Sequence, residues 1–439
     1  MRMTVIGTGY VGTVHAACMA DIGHEVLGID IDADRIASLA AGHSPIREAG
    51  LDELLSRTVA SGRLRFSTSL AEGAAFARTH FVCVGTPQRP DSKAADLRYV
   101  DAVTDALARH LRPGSLIVGK STVPVGTAAA LGRRLAASVP DAEVAWNPEF
   151  LREGSAVEDS MRPERIVVGV SSPRAEATLR AVYEPLLRAG AEFFSTDTAT
   201  AELVKVAANS FLATKISFIN AMAEVCDVAG ADVTVLARAV GADSRIGPRF
   251  LEPGLGFGGS CFPKDIRAFA ARAEELGAGE SVAFLHEVDR INTHQRARTV
   301  TRARQLLGGS FAGRRVAVLG ASFKPGSDDV RDSPALAVAT EAHRQGAAVC
   351  VHDPQALDNA RTVCPDLEYA LDLPKACEDA DLVLHLTPWP EYRAVDPVAL
   401  GEVVRTPLLL DARNSLDAQP WHAAGWSLHA LGRPQGGAS

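Results

Sequence analysis

Residues 3–12 read Met3-Thr4-Val5-Ile6-Gly7-Thr8-Gly9-Tyr10-Val11-Gly12. A short β-rich run meets a G-x-G-x-x-G turn, and residues 11–22, VGTVHAACMADI, predict a helix. Strand, glycine turn and helix in that order open a dinucleotide-binding fold. Gly7 makes the tight turn, Gly9 lets backbone approach a pyrophosphate, and Gly12 allows helix to pack on strand. The next strand, 25–30 (EVLGID), ends on Asp30, 18 residues beyond Gly12. A carboxylate there accepts hydrogen bonds from a ribose 2′-hydroxyl and repels a 2′-phosphate, which favours NAD over NADP.

Outward from this unit, apolar runs recur at 81–84, 116–118 and 144–146, separated by Ala/Leu/Arg segments of helical length. Such alternation predicts an α/β fold with a doubly wound parallel sheet. The texture changes at 199–229, which contains no Gly or Pro and predicts one helix of about 45 Å. From Arg315 the α/β texture returns: RVAVLGASFKPG, AAVCVHDP and DLVLHLTP echo TVIGTGYVG, EVLGIDID and FVCVGTP in the same order. Two related Rossmann-like folds flanking a helical middle are therefore expected, with divisions at 1–197, 198–300 and 301–432 and a disordered tail at 433–439. The second fold lacks the glycine triplet, having Gly320-Ala321-Ser322-Phe323-Lys324 instead, and so should not hold a dinucleotide in the same way.

The sharpest local feature is Phe257-Gly258-Gly259-Ser260-Cys261-Phe262-Pro263-Lys264-Asp265. Glycines at 256, 258 and 259 expose backbone just before a cysteine, and Pro263 suits the first turn of a helix. A cysteine at a helix start beside Lys264 should favour the nucleophilic thiolate, although a small buried thiol is the commoner fate of a cysteine. Lys205 and Asn209 lie four apart on the long helix and share a face, as an oxyanion-stabilising pair or as an exposed polar stripe. In Asn147-Pro148-Glu149-Phe150-Leu151-Arg152-Glu153, two carboxylates follow a strand as base and binder, or as a plain helix start.

Composition limits the remaining classes. The 439 residues suit two to four domains, and 47% hydrophobic with 22% charged residues is ordinary for globular chains. Acidic residues outnumber basic ones, 53 to 45, with no Lys/Arg cluster, which argues against nucleic-acid binding. No apolar run reaches the roughly 18 residues of a membrane span, and glycines interrupt the amino-terminal apolar run too early for a signal peptide. Seven cysteines without a CxxC pair or zinc spacing predict no metal site and a reduced, cytoplasmic protein.

Taken together, GTGYVG at Gly7, STVPVGT at Ser121, NPEFLREG at Asn147, AELVKVAANSFLA at Ala201, GFGGSCFPKD at Gly256 and FKPGSDDVRDSPAL at Phe323 resemble the UDP-glucose/GDP-mannose dehydrogenase family. The resemblance covers nearly the whole chain in order. It implies a four-electron oxidation of a nucleotide sugar's 6-hydroxyl to a carboxylate, with two NAD. Cys261 would be the nucleophile, passing through a thiohemiacetal and a thioester. Lys205 and Asn209 would serve proton transfer and the oxyanion. Asp265, Thr122 and Glu149 would organise the catalytic water, with Glu149 the base for thioester hydrolysis.

For NAD the resemblance implies Gly7, Gly9, Tyr10, Val11, Gly12, Asp30, Arg35, Thr86, Thr122, Glu153, Lys264 and Arg331. For the nucleotide sugar it implies Glu149, Phe150, Leu151, Arg152, Glu153, Lys205 and Asn209. With them come Phe250, Leu251, Glu252, Pro253, Gly254, Gly258, Phe323, Lys324 and Arg413. Arg245 matches an arginine that reaches a neighbouring subunit, which implies at least a homodimer built around the long helix. The wording around Cys261 is closest to the UDP-glucose branch, with dTDP-glucose and GDP-mannose as alternatives. A pocket discriminates one methyl group by only about 1–3 kcal/mol. Two rival readings are a silent NAD or nucleotide-sugar sensor and a two-electron hydroxyacid dehydrogenase with Cys261 structural.

Overall fold

The computed structural model describes residues 1–434. The described chain divides into two compact units, one of residues 1–208 and 271–279, the other of 209–270 and the residues from 280 onward. The division runs through two helices, Thr198–Ala229 and Phe262–Glu275, instead of falling at their ends.

The first unit holds strands β1 (Arg2–Ile6), β2 (Glu25–Ile29), β3 (Leu64–Ser67), β4 (Thr79–Val82), β5 (Leu116–Gly119), β6 (Glu143–Trp146), β7 (Arg165–Gly169) and β8 (Glu192–Thr196). They form one sheet in the order β3-β2-β1-β4-β5-β6-β7-β8. β1 to β6 are mutually parallel, as the near-continuous apolar runs require of strands covered on both faces. Met3 and Val5 pack with the helix Tyr10–Asp21 on one face, while Ile6, Leu27, Val82 and Trp146 belong to the core on the other. The last two strands run opposite to these six. β7 meets β6 antiparallel at Trp146 and Gly169, and β8 runs parallel to β7. The link between β6 and β7 carries only a six-residue helix, Ala156–Met161.

The order reverses between β1 and β4, the switch point where such sheets bind ligands beyond the strand ends. Two glycines of the turn that borders it are sterically compelled. Gly7 has φ +90°, and a Cβ there would lie 2.9 Å from Val84 Cγ1. At Gly12 a Cβ would lie 1.8 Å from the Gly7 carbonyl oxygen.

The second unit carries β9 (Arg315–Leu319), β10 (Ala348–His352), β11 (Glu368–Tyr369), β12 (Leu382–His385), β13 (Leu408–Asp411) and β14 (Ser427–Ala430). Their order, β11-β10-β9-β12-β13-β14, repeats that of β1 to β6, and every pair is parallel. The sequence echo is thus a topological one. Asp353, the counterpart of Asp30, is buried and accepts from the backbone of Ala321 and Ser322 and from Trp389 Nε1. At 2% exposed, Asp353 is closed off from a ribose, which agrees with the missing glycine triplet.

Of the segment 433–439 read as a tail, Arg433 lies 3.5 Å from Asp232, and residues 435–439 lie outside the described residues; the preceding Gly432 donates to Asp227. Among the described residues no helix is long and apolar enough to cross a membrane.

Candidate active site

In the first unit the turn after β1 is shaped for a pyrophosphate. A Cβ at Gly9 would meet nothing within 4 Å, so the backbone is open there, while Gly7 and Gly12 are closed in. Gly9 precedes the helix that begins at Tyr10 and Val11, whose free N–H groups suit an anion. Asp30 stands at the end of β2 and accepts from Thr8 N (2.8 Å), Asp32 N (3.1 Å) and Arg35 Nη1 (3.1 Å). Burial pushes its carboxyl up, but these N–H donors and the Arg35 charge outweigh it and hold Asp30 below the usual carboxylate range. It is therefore a fixed, ionised acceptor, which fits the ribose of NAD. Thr86 is buried and donates to the Thr122 carbonyl (2.8 Å), joining the ends of β4 and β5.

Arg35 also lies 3.4 Å from Asp32, so the two carboxylates hold the guanidinium together. Asp30→Ala is expected to weaken NAD binding by about tenfold or more, the loss of a charged hydrogen bond. It also frees Arg35 from one of its two anions, so NADP should gain relative to NAD. Titration of both cofactors checks this; unchanged affinity and unchanged discrimination would remove Asp30 from the site.

Glu149 and Lys205 form a buried ion pair, Oε1 to Nζ 3.0 Å, and Glu149 also accepts from Leu151 N at 2.6 Å. Burial raises the Glu149 carboxyl, yet Lys205, the Leu151 N–H and Lys120 together bring it below its ordinary value. The Phe150 ring lies under Lys205 Nζ at 5.6 Å and under the Arg165 guanidinium at 4.2 Å. Leu151 is half-buried, and Arg152 is exposed and paired with Asp159 at 2.6 Å. The half-buried Glu153 precedes Gly154, whose N–H donates to Glu48 at 2.7 Å and to Tyr10 Oη at 3.0 Å. Glu48 also takes the Ala156 N–H and the Tyr10 hydroxyl. It thereby joins the glycine turn to the loop after Glu153, a role that no spacing in the sequence announces.

In the second unit Asn209 and Asp265 are buried and bonded, Nδ2 to Oδ2 at 2.7 Å. Lys264 Nζ donates to the other oxygen of Asp265 at 2.5 Å. Both members of the Lys205/Asn209 pair are therefore buried and engaged, and the exposed-stripe alternative falls.

Cys261 is half-buried and caps Phe262–Glu275, its carbonyl accepting from Asp265 N at 2.9 Å. Ser260 Oγ lies 3.6 Å from its sulfur. The loop before it leaves no room for side chains. A Cβ at Gly256 would be 2.4 Å from Asn292 Oδ1, at Gly258 2.3 Å from the Asp332 carbonyl, and at Gly259 2.8 Å from the Phe323 ring. Asn292 binds both the N–H and the carbonyl of Phe257, at 2.8 and 3.0 Å, and is a second residue that sequence reading missed. Gly259 N donates to the Arg331 carbonyl, while the Arg331 guanidinium pairs with Asp329. All seven cysteines are free thiols; burial pushes Cys18, Cys83 and Cys377 up to about 12.

Arg413 is threaded beside this loop, donating through Nε to the Leu386 carbonyl at 2.6 Å and through Nη1 to the Gly256 carbonyl at 2.9 Å. Its Nη2 is buried with no hydrogen-bond partner among the described residues, as is Asn220 Nδ2. Asn220 Oδ1 holds Gly254 N at 2.8 Å. Phe250 adopts φ +64° and packs at 6.2 Å from Phe262, Leu251 and Pro253 are buried, and Glu252 is exposed. Lys324 Nζ lies 5.4 Å from the Phe323 ring. Arg245 is exposed and bound to Asp243 through two nitrogens.

The UDP-glucose/GDP-mannose dehydrogenase sequence models match in three parts: the NAD binding domain over residues 1–187, the central domain over 199–294 and the UDP binding domain over 317–418. A UDP-glucose 6-dehydrogenase of Rhizobium meliloti (strain 1021) is 42% identical, covering 99% of this chain and 100% of that protein. A solved UDP-glucose dehydrogenase of Pyrobaculum islandicum superposes with a TM-score of 0.90 at 40% identity, over 98% of each chain. A UDP-D-ManNAc dehydrogenase of Pyrococcus horikoshii reaches 0.87 at 26% identity, over 99% of this chain and 100% of that one. With its NAD-binding fold, its UDP-binding fold and its central helix all accounted for, the chain belongs to the UDP-glucose/GDP-mannose dehydrogenase family.

Proposed function

We propose that this enzyme oxidises the 6-hydroxyl of UDP-glucose to the carboxylate of UDP-glucuronate. The observation that carries this reading is Cys261, a half-buried thiol at a helix cap on a loop too tight for any side chain at 256, 258 or 259. NAD, when bound, takes up the hydride that the sugar carbon gives in each of two oxidations. Lys205 would take the hydroxyl proton as the neutral amine, after its ammonium has passed a proton to Glu149, 3.0 Å away. Cys261 Sγ adds to the aldehyde carbon as the C=O π pair moves onto oxygen, and the thiol proton ends on that oxygen to complete the thiohemiacetal. Asn209, held by Asp265, steadies the resulting oxyanion. After the second oxidation Glu149 draws a proton from water as it attacks the thioester; the C–O bond forms, the C–S bond breaks, and the thiol is restored.

The buried donors Arg413 Nη2 and Asn220 Nδ2 suit the acceptor-rich UDP moiety, together with Lys324 and the Phe250–Gly254 loop. Choice of UDP-glucose over other nucleotide sugars rests on the roughly 40% identity to UDP-glucose enzymes, against 26% to the ManNAc enzyme. A homodimer is supported by Phe211, Phe218 and Val225, exposed at seven-residue spacing on the long helix with Val228 beside them. Arg245, exposed nearby in sequence, would then serve the partner's site. Seven reduced thiols suit a cytoplasmic setting.

The test is NADH formation against a panel of UDP-, dTDP- and GDP-sugars, with the product identified by mass. Two NADH per UDP-glucose and a uronate product are expected. Preference for another sugar, or one NADH per sugar, would overturn the assignment.

A further inference from the structure

A buried lysine outside the catalytic set lies where two functional loops begin. Lys120 directly follows β5 and stands two residues before Thr122; Asn147 directly follows β6 and stands two residues before Glu149. The Lys120 ammonium donates to Asn147 Oδ1 at 2.9 Å and lies 3.5 Å from both the Asn147 carbonyl and Tyr183 Oη. The Asn147 amide cannot turn away, because its Nδ2 is bound to the Val167 carbonyl at 2.8 Å and Tyr183 Oη donates to the same Oδ1 at 2.5 Å. Three donors of one ammonium thus meet three oxygens.

Burying a cation is costly unless it is paired, and much of this surrounding is apolar, with the Phe81 ring 6.0 Å from Nζ. A methionine would fill the same space without that cost. The compensating gain lies in what the lysine ties together. We propose that Lys120 is a positioning residue: it fastens the strand end that leads to Thr122 to the strand end that leads to Glu149, and brings its own positive charge to the start of the Glu149 loop.

The other groups on this face leave Lys120 and Lys205 as its charge partners. Burial pushes the Cys83 thiol at the end of β4 up to about 12, so it is neutral. His15, on Tyr10–Asp21, is held well below its ordinary value by burial and by Lys120, and is neutral too. Tyr183, on Pro173–Arg188, is likewise pushed up by burial. Lys120 itself is lowered by burial to about 8 and remains mostly protonated near neutrality.

This rests on the reading of Glu149 as the base for thioester hydrolysis. The experiment follows the Cys261 acyl adduct by intact mass during a single turnover of UDP-glucose with NAD, across pH, in Lys120→Met, Tyr183→Phe and Glu149→Gln. Glu149→Gln should accumulate the adduct. Lys120→Met should slow its decay about tenfold and move the acidic limb of that decay up by about one pH unit, because Glu149 has lost a favourable charge. The KM values for UDP-glucose and NAD should hold. Tyr183→Phe, which keeps the charge but loosens the tie, should slow decay without moving the limb, and it decides the tie if Lys120→Met does not fold. Wild-type decay in these two variants, with adduct accumulating in Glu149→Gln, would overturn the role of Lys120 alone. Absence of adduct in Glu149→Gln would instead overturn the reading of Glu149.

Discussion

Exhaustive reaction of the intact enzyme is expected to yield two NADH per UDP-glucose, and Cys261→Ala should be unable to complete the second oxidation. An aldehyde carbon releases hydride readily only after a nucleophile has added to make it tetrahedral, and on the proposed mechanism the Cys261 thiol would supply that adduct covalently. The rate of uronate formation should fall by about a thousandfold or more, the scale of losing a nucleophile. The variant should still fold. The contact that Cys261 makes to its helix is through its carbonyl to Asp265 N, which alanine retains, and the Gly256–Asn292 packing is untouched. Ligand binding should also persist, since the thiol is asked for chemistry and not for recognition. Hydration of the free aldehyde permits a slow residual reaction, so stoichiometry and product identity are the measurements, with rate as support. None of the buried cysteines is expected to substitute: burial leaves the Cys83 thiol at about 12, with no thiolate to offer at neutral pH. Uronate made by Cys261→Ala at the wild-type rate would remove the thiohemiacetal.

The parts of this molecule that were readable in advance are those whose cause is local. Gly7 needs its positive φ and Gly12 its missing Cβ because of atoms a few residues away, so the turn shows itself as a spacing. The strand order of the second sheet followed from an echo of strand ends, since like units fold alike. What escaped depends on distant neighbours. The reversal at β7 is seen only in its antiparallel pairing of Gly169 with Trp146, a contact between distant residues that carries no motif. Glu48, Asn292 and Lys120 act by hydrogen bonds across about 100, 35 and 27 residues of chain. Each looks like an ordinary polar residue in its own segment. Lys205 and Asn209 sit between the two cases: their shared face was legible, but only burial against Glu149 and Asp265 separated chemistry from a solvated stripe.

Asp265→Asn should be the second severe loss, and its size tests whether Asn209 is held or merely present. Asp265 receives two donors, Asn209 Nδ2 on one oxygen and Lys264 Nζ on the other, and is 3% exposed. Asparagine keeps the shape but offers one oxygen and one NH2. A donor must then face a donor. Either the Asn209 amide turns over or Lys264 is released, and a buried donor left unpaired costs about 1–3 kcal/mol. If Asn209 is the group that steadies the oxyanion, turning it over removes a preorganised donor, and kcat should fall by about 10²–10³-fold. The KM for UDP-glucose should change far less, because Arg413 and the 250–254 loop lie on other elements of the second unit. NAD affinity should fall only in so far as Lys264 moves. A merely structural Asp265 would lower the melting temperature and leave the kcat of the folded fraction intact. The double variant with Asn209→Ala separates the two: if Asp265 acts through Asn209, adding Asp265→Asn to Asn209→Ala should cost little more than Asn209→Ala alone. Full additivity of the two losses, or Asp265→Asn within about twofold of wild-type kcat, would show that the carboxylate does not position the amide.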